Sequence, residues 1–173
     1  MLDKILIEKA HPIKLLITDI DGVWTNARIY YTAEGEHMKG FSYYDGMAVY
    51  LLAQAGIKTA IITSEDSPIV AQRAKKLKIA EEDVHLGIHD KLAVFEAILQ
   101  RHNLTPNQVA YIGDDVNDFA PMQVAGLTAA PANTPVFSQL KPDILLTRKG
   151  GDGAFREFAD MILLAQNWEN RLP

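Results

Sequence analysis

Short apolar runs closed by glycine or polar residues alternate along this chain with longer segments whose apolar positions recur at helical spacing. Leu15-Leu-Ile-Thr18 follows Lys14 and runs straight into Asp19-Ile-Asp21-Gly22; a continuous run bounded by a turn signal fits a strand buried on both faces. Lys58–Thr63, Val84–Gly87, Gln108 to Ile112, Leu127–Ala130 and Asp143–Thr147 repeat the pattern. Residues 1–13 read as a short N-terminal helix or arm ending at Pro12. Residues 28–43, rich in strand formers around Glu34-Gly35, read as a β-hairpin. Asp45-Gly46 opens a helix that runs to Ala55 and stops at Gly56. Ser67-Pro68 joins an N-cap residue to proline at the first helical position, and that helix ends near Lys76 among Arg73, Lys75 and Lys78, where the dipole favours cations. Asp90-Lys91 starts a helix with Leu92, Phe95, Ile98 and Leu99 on one stripe. Asn117–Val124 is a short helix ended by Gly126, and Phe155 to about Asn167 is a last amphipathic one. Strand and helix alternate throughout, so the expected fold is α/β: a three-layer, doubly wound parallel sheet in a single domain.

Composition narrows the function without naming it. The chain has 173 residues, 48% of them hydrophobic, enough for one domain with a sizeable core. A net charge of −5 with no basic stripe argues against nucleic acid as a partner. No apolar run approaches the ~20 residues that a membrane helix needs, and the start lacks a signal-peptide layout, so a cytoplasmic protein is expected. The absence of cysteine excludes disulfides, thiolate metal sites and cysteine nucleophiles.

The chemistry gathers where the strands end, which in an open α/β sheet is where ligands bind. The first strand ends in Asp19-x-Asp21-Gly22, the second in Thr63, the fourth in Gly113-Asp114-Asp115-x-Asn117-Asp118, and Lys91 stands at a helix start, against the dipole. Singly, each also reads as an ordinary turn, strand end or helix cap; what distinguishes them is their joint occurrence, in order, at one end of successive elements. Clustered carboxylates need counter-charge, and a hard divalent cation with oxygen ligands, magnesium above all, supplies it. Lys91 and the Thr63 hydroxyl suit phosphoryl oxygens beside such an ion.

Those four stretches resemble the four motifs of the haloacid dehalogenase superfamily of phosphohydrolases. Within it the chain looks like the capless phosphatases of 3-deoxy-D-manno-octulosonate 8-phosphate and related sugar acids. Supporting details are the hairpin after the first motif, Phe41 to Asp45-Gly46, Ser67-Pro68-Ile-Val, and Gly150-Gly151-x-Gly153-Ala-x-Arg156-Glu157. Only 38 positions separate Thr25 from Thr63 and 28 separate Thr63 from Lys91, which leaves no room for a cap domain. The resemblance implies one phosphatase domain over 1–173, with the 28–43 hairpin used for oligomerisation and a 149–173 C-terminal loop and helix. It implies that Asp19 is the nucleophile, forming an aspartyl phosphate, and Asp21 the general acid and base. Thr63, Ser64 and Lys91 would hold phosphate. Magnesium would be bound by Asp19, Asp21 through its carbonyl, and Asp114, with Asp115 and Asp118 orienting Lys91 or metal-bound water.

The departures from that family bear on the substrate. Ser64-Glu65-Asp66 replaces the usual Gly-Arg-Ser, and Trp24 and Asn26 replace the commoner leucine and aspartate. Glu65, with Lys76 eleven residues on, resembles phosphatases of nine-carbon, neuraminate-type keto-deoxy acids. Glu65, Arg73, Lys76 and Arg156, with Lys149, are the candidates for contacting the sugar acid. By the resemblance the hairpins assemble a homotetramer whose neighbouring subunit completes the active site. A receiver-type signalling domain is the competing class, but it expects adjacent acids at the first strand and a phospho-acceptor on the middle one, and Val84-His-Leu-Gly87 offers none. A catalytically dead tethering subunit is a third reading; it predicts a missing motif residue, and none is missing.

Overall fold

Strand β1 (Leu15–Thr18) is fully buried and lies between β4 (Lys58–Ile62) and β6 (Val109–Ile112), parallel to both. The structure is a computed structural model describing residues 3–135 and 141–168. Two edge pairs extend the sheet, β5 (Val84–His85) beside β4, and β7 (Leu127–Ala130) followed by β8 (Ile144–Leu145) beside β6. The order β5-β4-β1-β6-β7-β8 means the chain winds outward on one side of β1 and then returns to the other, so the switch falls next to β1.

Alternation along the strands feeds two cores. Leu16, Ile61 and Ala110 face helices α1 (Lys4–Ala10), α2 (Tyr43–Gln54), α3 (Pro68–Lys76) and α6 (Ala154–Ala165). Leu15, Ile17, Ile62 and Tyr111 face α4 (Lys91–His102) and α5 (Phe119–Val124). The expected three layers are therefore present. Phe155, Phe158 and Ile162 of α6 are completely buried against the first face, each worth roughly 1.5–3 kcal/mol of transfer free energy.

Several boundaries moved from the sequence reading. The hairpin is shorter than 28–43: β2 (Tyr30–Thr32) and β3 (Gly35–Met38) pair antiparallel, with an irregularity at Tyr30/Tyr31. Phe41 leaves the hairpin and packs on the core, while Tyr43 already belongs to α2. Helix α2 starts before Asp45-Gly46 because Ser42 is its N-cap, its hydroxyl accepting the Tyr44 N–H at 3.2 Å. Asp45 then sits inside the first turn and reaches across to accept the Arg156 N–H at 2.9 Å. Strand β8 is only two residues long: before it Asp143 accepts from Thr128 and from Lys9 of the first-helix region, and beyond it the Thr147 N–H goes to Glu157 at 3.1 Å. Helix α6 ends at Ala165, and the last part of the 149–173 segment lies outside the described residues. Among the described residues, the hairpin is the only addition between β1 and α2, and no cap domain is inserted there or between β4 and α4.

The glycine-rich loop before α6 packs on the turn after β1. Gly151 donates to the Val23 carbonyl at 3.0 Å, and Gly150 donates to Asn133 Oδ1 at 2.9 Å. A Cβ on Gly150 would fall 1.7 Å from the Gly22 carbonyl oxygen, so backbone meets backbone there with no room to yield. Gly150→Ala is expected to destabilise the protein by about 1–3 kcal/mol, the range for overpacking. A melting temperature equal to that of the unaltered protein would refute that contact.

Candidate active site

Strands β4, β1 and β6 are neighbours and end on one edge, so the residues that follow them form one cleft of about 420 Å³. Asp19 and Asp21 enter it from β1, Thr63, Ser64 and Glu65 from β4, and Asp114, Asp115 and Asn117 from β6. The turn that delivers Asp21 depends on Gly22, whose φ is +94° and whose added Cβ would lie 1.8 Å from Asp114 Oδ2. Only glycine lets the first and last acidic loops approach this closely.

Beneath the cleft sits Lys91, the first residue of α4, its side chain fully buried. Its ammonium is 3.1 Å from Asp19 Oδ1 and 2.7 Å from Asp118 Oδ1. Asp118 is a hub. It also accepts the Tyr111 hydroxyl at 2.8 Å and the N–H groups of Asp114 and Asp115 at 3.0 and 3.3 Å. Every lone pair that Asp118 can offer is thus spoken for, and it serves to hold Lys91 and the loop of Asp114. Carboxylate oxygens of Asp19, Asp114 and Asp118 lie within 4.8 Å of one another.

Crowding these groups shifts their acidity. Burial pushes Asp19 up to about 7, assisted by the charge of Asp118 and opposed by Lys91. Burial and then the charges of Asp19, Asp118 and Asp115 push Asp114 up to about 8. For Lys91 burial pulls downward, but Asp19 and Asp118 outweigh it and hold the ammonium above its ordinary value. A cation fits what remains open: among the described residues Asp114 Oδ1 is buried without a hydrogen bond, and Asp19 Oδ1 has only the ion pair with Lys91. An all-oxygen, two-carboxylate donor set of this kind suits a hard divalent ion.

Two participants were not legible in the sequence. Lys39, just after β3, has a fully buried side chain whose ammonium lies 2.5 Å from Asp21 Oδ2 and 3.2 Å from Glu36 Oε1. Burial opposes its charge, but the hydrogen bond and charge of Asp21, with Glu36, raise it above its ordinary value. Nothing local marks it, since a lysine after an exposed strand reads as solvated. Tyr111 looked like a core strand residue, although a buried phenol needs a partner, and that was the available signal. Asn117, already part of the acidic stretch read after the fourth strand, donates to Ser64 Oγ at 2.9 Å and ties the β6 loop to the β4 loop.

The sugar-contact candidates separate. Glu65 lines the cleft. Arg73 donates to the Ser42 carbonyl at 3.1 Å, and its guanidinium carbon lies 5.5 Å from the Phe41 ring centroid, which packs α3 on the start of α2. Arg156 is held by Asp160 at 2.7 Å on its own helix. Lys76 lines a different, larger groove of about 670 Å³ between α2 and the end of α3, away from the acidic cluster. Lys149 is exposed. Within one chain, then, only Glu65 of this group reaches the cleft.

This parallel sheet, with an acidic loop after β1 at the edge where its strands end, matches a known class of hydrolase. The model of haloacid dehalogenase-like hydrolases matches residues 39–126, and the chain belongs to that family. Its similarity to individual members is spread over nearly the whole length. It is 38% identical to the 3-deoxy-D-manno-octulosonate 8-phosphate phosphatase of Haemophilus influenzae, over 92% of this chain and 87% of that one. The crystal structure of the phosphatase of the same name from Yersinia pestis superposes with a TM-score of 0.92 at 37% identity, covering 96% of this chain and 89% of the other. That from Moraxella catarrhalis, in complex with magnesium, phosphate and 3-deoxy-D-manno-octulosonate, gives 0.90 at 35%, covering 96% and 94%. Family membership removes the receiver-domain alternative.

The raised carboxylates make stability depend on pH. Their native values lie above the ordinary carboxylate value of 3.8, so between there and about 8 the metal-free native state holds more protons than the unfolded chain. Their contribution is fully present at acid pH and is lost as the pH rises. The melting temperature of chelator-treated protein should therefore fall from about pH 5 to about pH 8.5, and magnesium should raise it more at the higher pH, where the proton no longer competes. A magnesium effect that shrinks with rising pH would contradict the assigned cluster.

Proposed function

We propose that this chain is a magnesium-dependent phosphatase that converts 3-deoxy-D-manno-octulosonate 8-phosphate to the free sugar acid and inorganic phosphate, working in the cytoplasm as one domain over 1–173. The observation that carries the reading is the pairing of an unpartnered Asp114 oxygen and Asp19 over a buried Lys91. The Moraxella catarrhalis relative, with magnesium, phosphate and the sugar acid bound, supports it.

In this reading an Asp19 carboxylate oxygen attacks phosphorus and the bond to the sugar oxygen breaks, leaving an aspartyl phosphate. Asp21 gives its proton to the departing alkoxide, then takes one from the water that attacks phosphorus and releases Asp19. Asp19, the Asp21 carbonyl and Asp114 would hold magnesium, which when bound would offset the charge of the phosphoryl oxygens. Lys91 opposes the upward pull of burial on Asp19 and neutralises charge from below. Thr63 and Ser64 donate to phosphoryl oxygens, with Ser64 held in place by Asn117. Asp115 and Asp118 act behind them.

A nine-carbon 9-phosphate is the second reading, because Glu65 lines the cleft and an acid there can accept hydrogen bonds from additional sugar hydroxyls. Phosphate release from the two substrates decides between them, with Asp19→Asn as the inactive control. The octulosonate reading expects the higher kcat/KM for the eight-carbon substrate and little change on Glu65→Ala. A preference for the nine-carbon substrate, lost by roughly tenfold or more in Glu65→Ala, would replace it. Phosphate release by Asp19→Asn at the unaltered rate would end both.

The hairpin leaves Tyr30, Tyr31 and Met38 exposed, and α2 adds Tyr43, Tyr44 and Tyr50. A two-stranded ribbon with such faces is marginal alone and gains by pairing with copies of itself. We propose a homotetramer in which a neighbour's residues complete the cleft, which also gives Arg73, Lys76 and Arg156 a role toward substrate across subunits. Tyr30→Asp with Tyr31→Asp should give smaller species in sedimentation and a several-fold higher KM. A fully active monomer at micromolar concentration would refute the assembly.

A further inference from the structure

The geometry points to Lys39 as a positioning residue that holds the Asp21 carboxylate for proton transfer, with Glu36 and Ser67 fixing Lys39 from behind. The inference rests on the reading of Asp21 as the acid–base group. Asp21 Oδ1 accepts the Thr25 hydroxyl at 3.1 Å, and Oδ2 accepts the Lys39 ammonium at 2.5 Å. One contact on each oxygen fixes the plane of the carboxylate, which then cannot rotate about its last torsion. A carboxylate offers about four lone-pair sites, so the contacts leave others free, and Asp21 presents them in the lining of the cleft. Alignment matters because a misplacement of about 1 Å at a reacting group can cost roughly a hundredfold in rate.

An ordinary ion pair does not explain the arrangement. Exposed pairs contribute little, but the Lys39 side chain has no exposed surface, while Asp21 and Glu36 retain 19% and 16%. The ammonium is therefore buried between two carboxylates that both still reach solvent. Glu36 in turn accepts the hydroxyl of Ser67, the residue just before α3. Ser67 stands at the N-cap yet makes no capping hydrogen bond, because its hydroxyl is turned to Glu36 instead. The chain of contacts Ser67–Glu36–Lys39–Asp21 thus anchors the hairpin strand β3 to the body of the protein and ends on the proton-transfer group.

The two half-reactions give a test that a merely structural role would not mimic. In the first, the Asp19–phosphorus bond forms, the phosphorus–oxygen bond to the leaving group breaks, and Asp21 gives a proton to an alkoxide. A p-nitrophenolate leaving group needs no such proton. In the second, Asp21 takes a proton from water whatever the substrate was. With magnesium present, Lys39→Met should therefore release one equivalent of p-nitrophenol from p-nitrophenyl phosphate in a burst within about threefold of the unaltered rate, then turn over roughly 10–100-fold more slowly. Its kcat on the sugar-acid phosphate should fall at least as far with KM within about threefold, and Lys39→Arg should recover part of the loss. Asp21→Asn is the reference and should show the same burst and slow turnover.

If Asp21→Asn gives that pattern and Lys39→Met turns over normally, or loses burst and turnover alike, the role assigned to Lys39 is wrong. If Asp21→Asn lacks the pattern, the acid–base reading fails and the role of Lys39 with it. Should Lys39→Met not fold, as judged by circular dichroism, Ser67→Ala decides: an intact burst with turnover slowed about 2–10-fold supports the positioning chain, and unchanged or uniformly reduced kinetics overturns it.

Discussion

Three carboxylates packed within 4.8 Å of one another, all buried, is the constraint to which the rest of this molecule answers. Like charges at that distance in a poorly hydrated site repel strongly and take up protons instead, and the upward shifts of Asp19 and Asp114 express that tendency. The fold meets it with one lysine from beneath. Lys91 bridges Asp19 and Asp118 from the start of α4, and burial of its own charge is compensated by the two partners it touches. Asp118 uses its remaining capacity on Tyr111 and two backbone N–H groups, so the acid that is not aimed at substrate is fully satisfied. What is left open belongs to Asp19 and Asp114, where an ion with oxygen preference would complete the balance.

Holding these groups together is mostly the work of the backbone. The strands β4, β1 and β6 place three loops on one edge, and Gly22 lets two of those loops touch. The glycine-rich segment before α6 then presses on the β1 turn from outside, hydrogen-bonded to the Val23 carbonyl. Lys149 and Arg156, at its two ends, were read as candidates for contacting the sugar acid. In one chain it is a brace, and Arg156 behind it is engaged with Asp160 and, through its N–H, with Asp45.

How far the sequence carried follows from which interactions are local. Buried strands announce themselves as apolar runs, and their last residues are where α/β proteins bind ligands, so Asp19, Asp21, Thr63 and Asp114 were readable together with the sheet. Lys91 was suspected because a cation at a helix start opposes the dipole, and its reason is the pair of acids it bridges, Asp19 in the cleft and Asp118 behind it. Helix α2 was misplaced by two residues because Asp45-Gly46 looks like a start signal, whereas the cap is Ser42 and Asp45 is bonded to the first turn of α6, more than a hundred residues away. Arg73 and Arg156 were offered as anion binders, and long-range packing on Phe41 and a helical pair with Asp160 absorb them within the chain. Lys39 escaped entirely. Its partners lie 18 residues back and three residues back on a hairpin, and no periodicity encodes a contact across such a turn.

The two buried lysines solve the same electrostatic problem from different parts of the fold, and the difference has a consequence. Lys91 stands on a helix packed against the sheet, so Asp19 is supported by the least deformable part of the molecule. Lys39 hangs from a two-stranded ribbon whose outer residues Tyr30, Tyr31 and Met38 are exposed. A ribbon of that size has little stability of its own and takes its position from what it touches. On the inside it touches Asp21 through Lys39 and α3 through Glu36 and Ser67. Whatever covers its outside therefore bears on Asp21 through two side chains, while the support of Asp19 is independent of it. A protein built this way can vary its outer surface without disturbing Asp19, the proposed nucleophile, and it is Asp21, the proposed proton-transfer group, that is exposed to such changes.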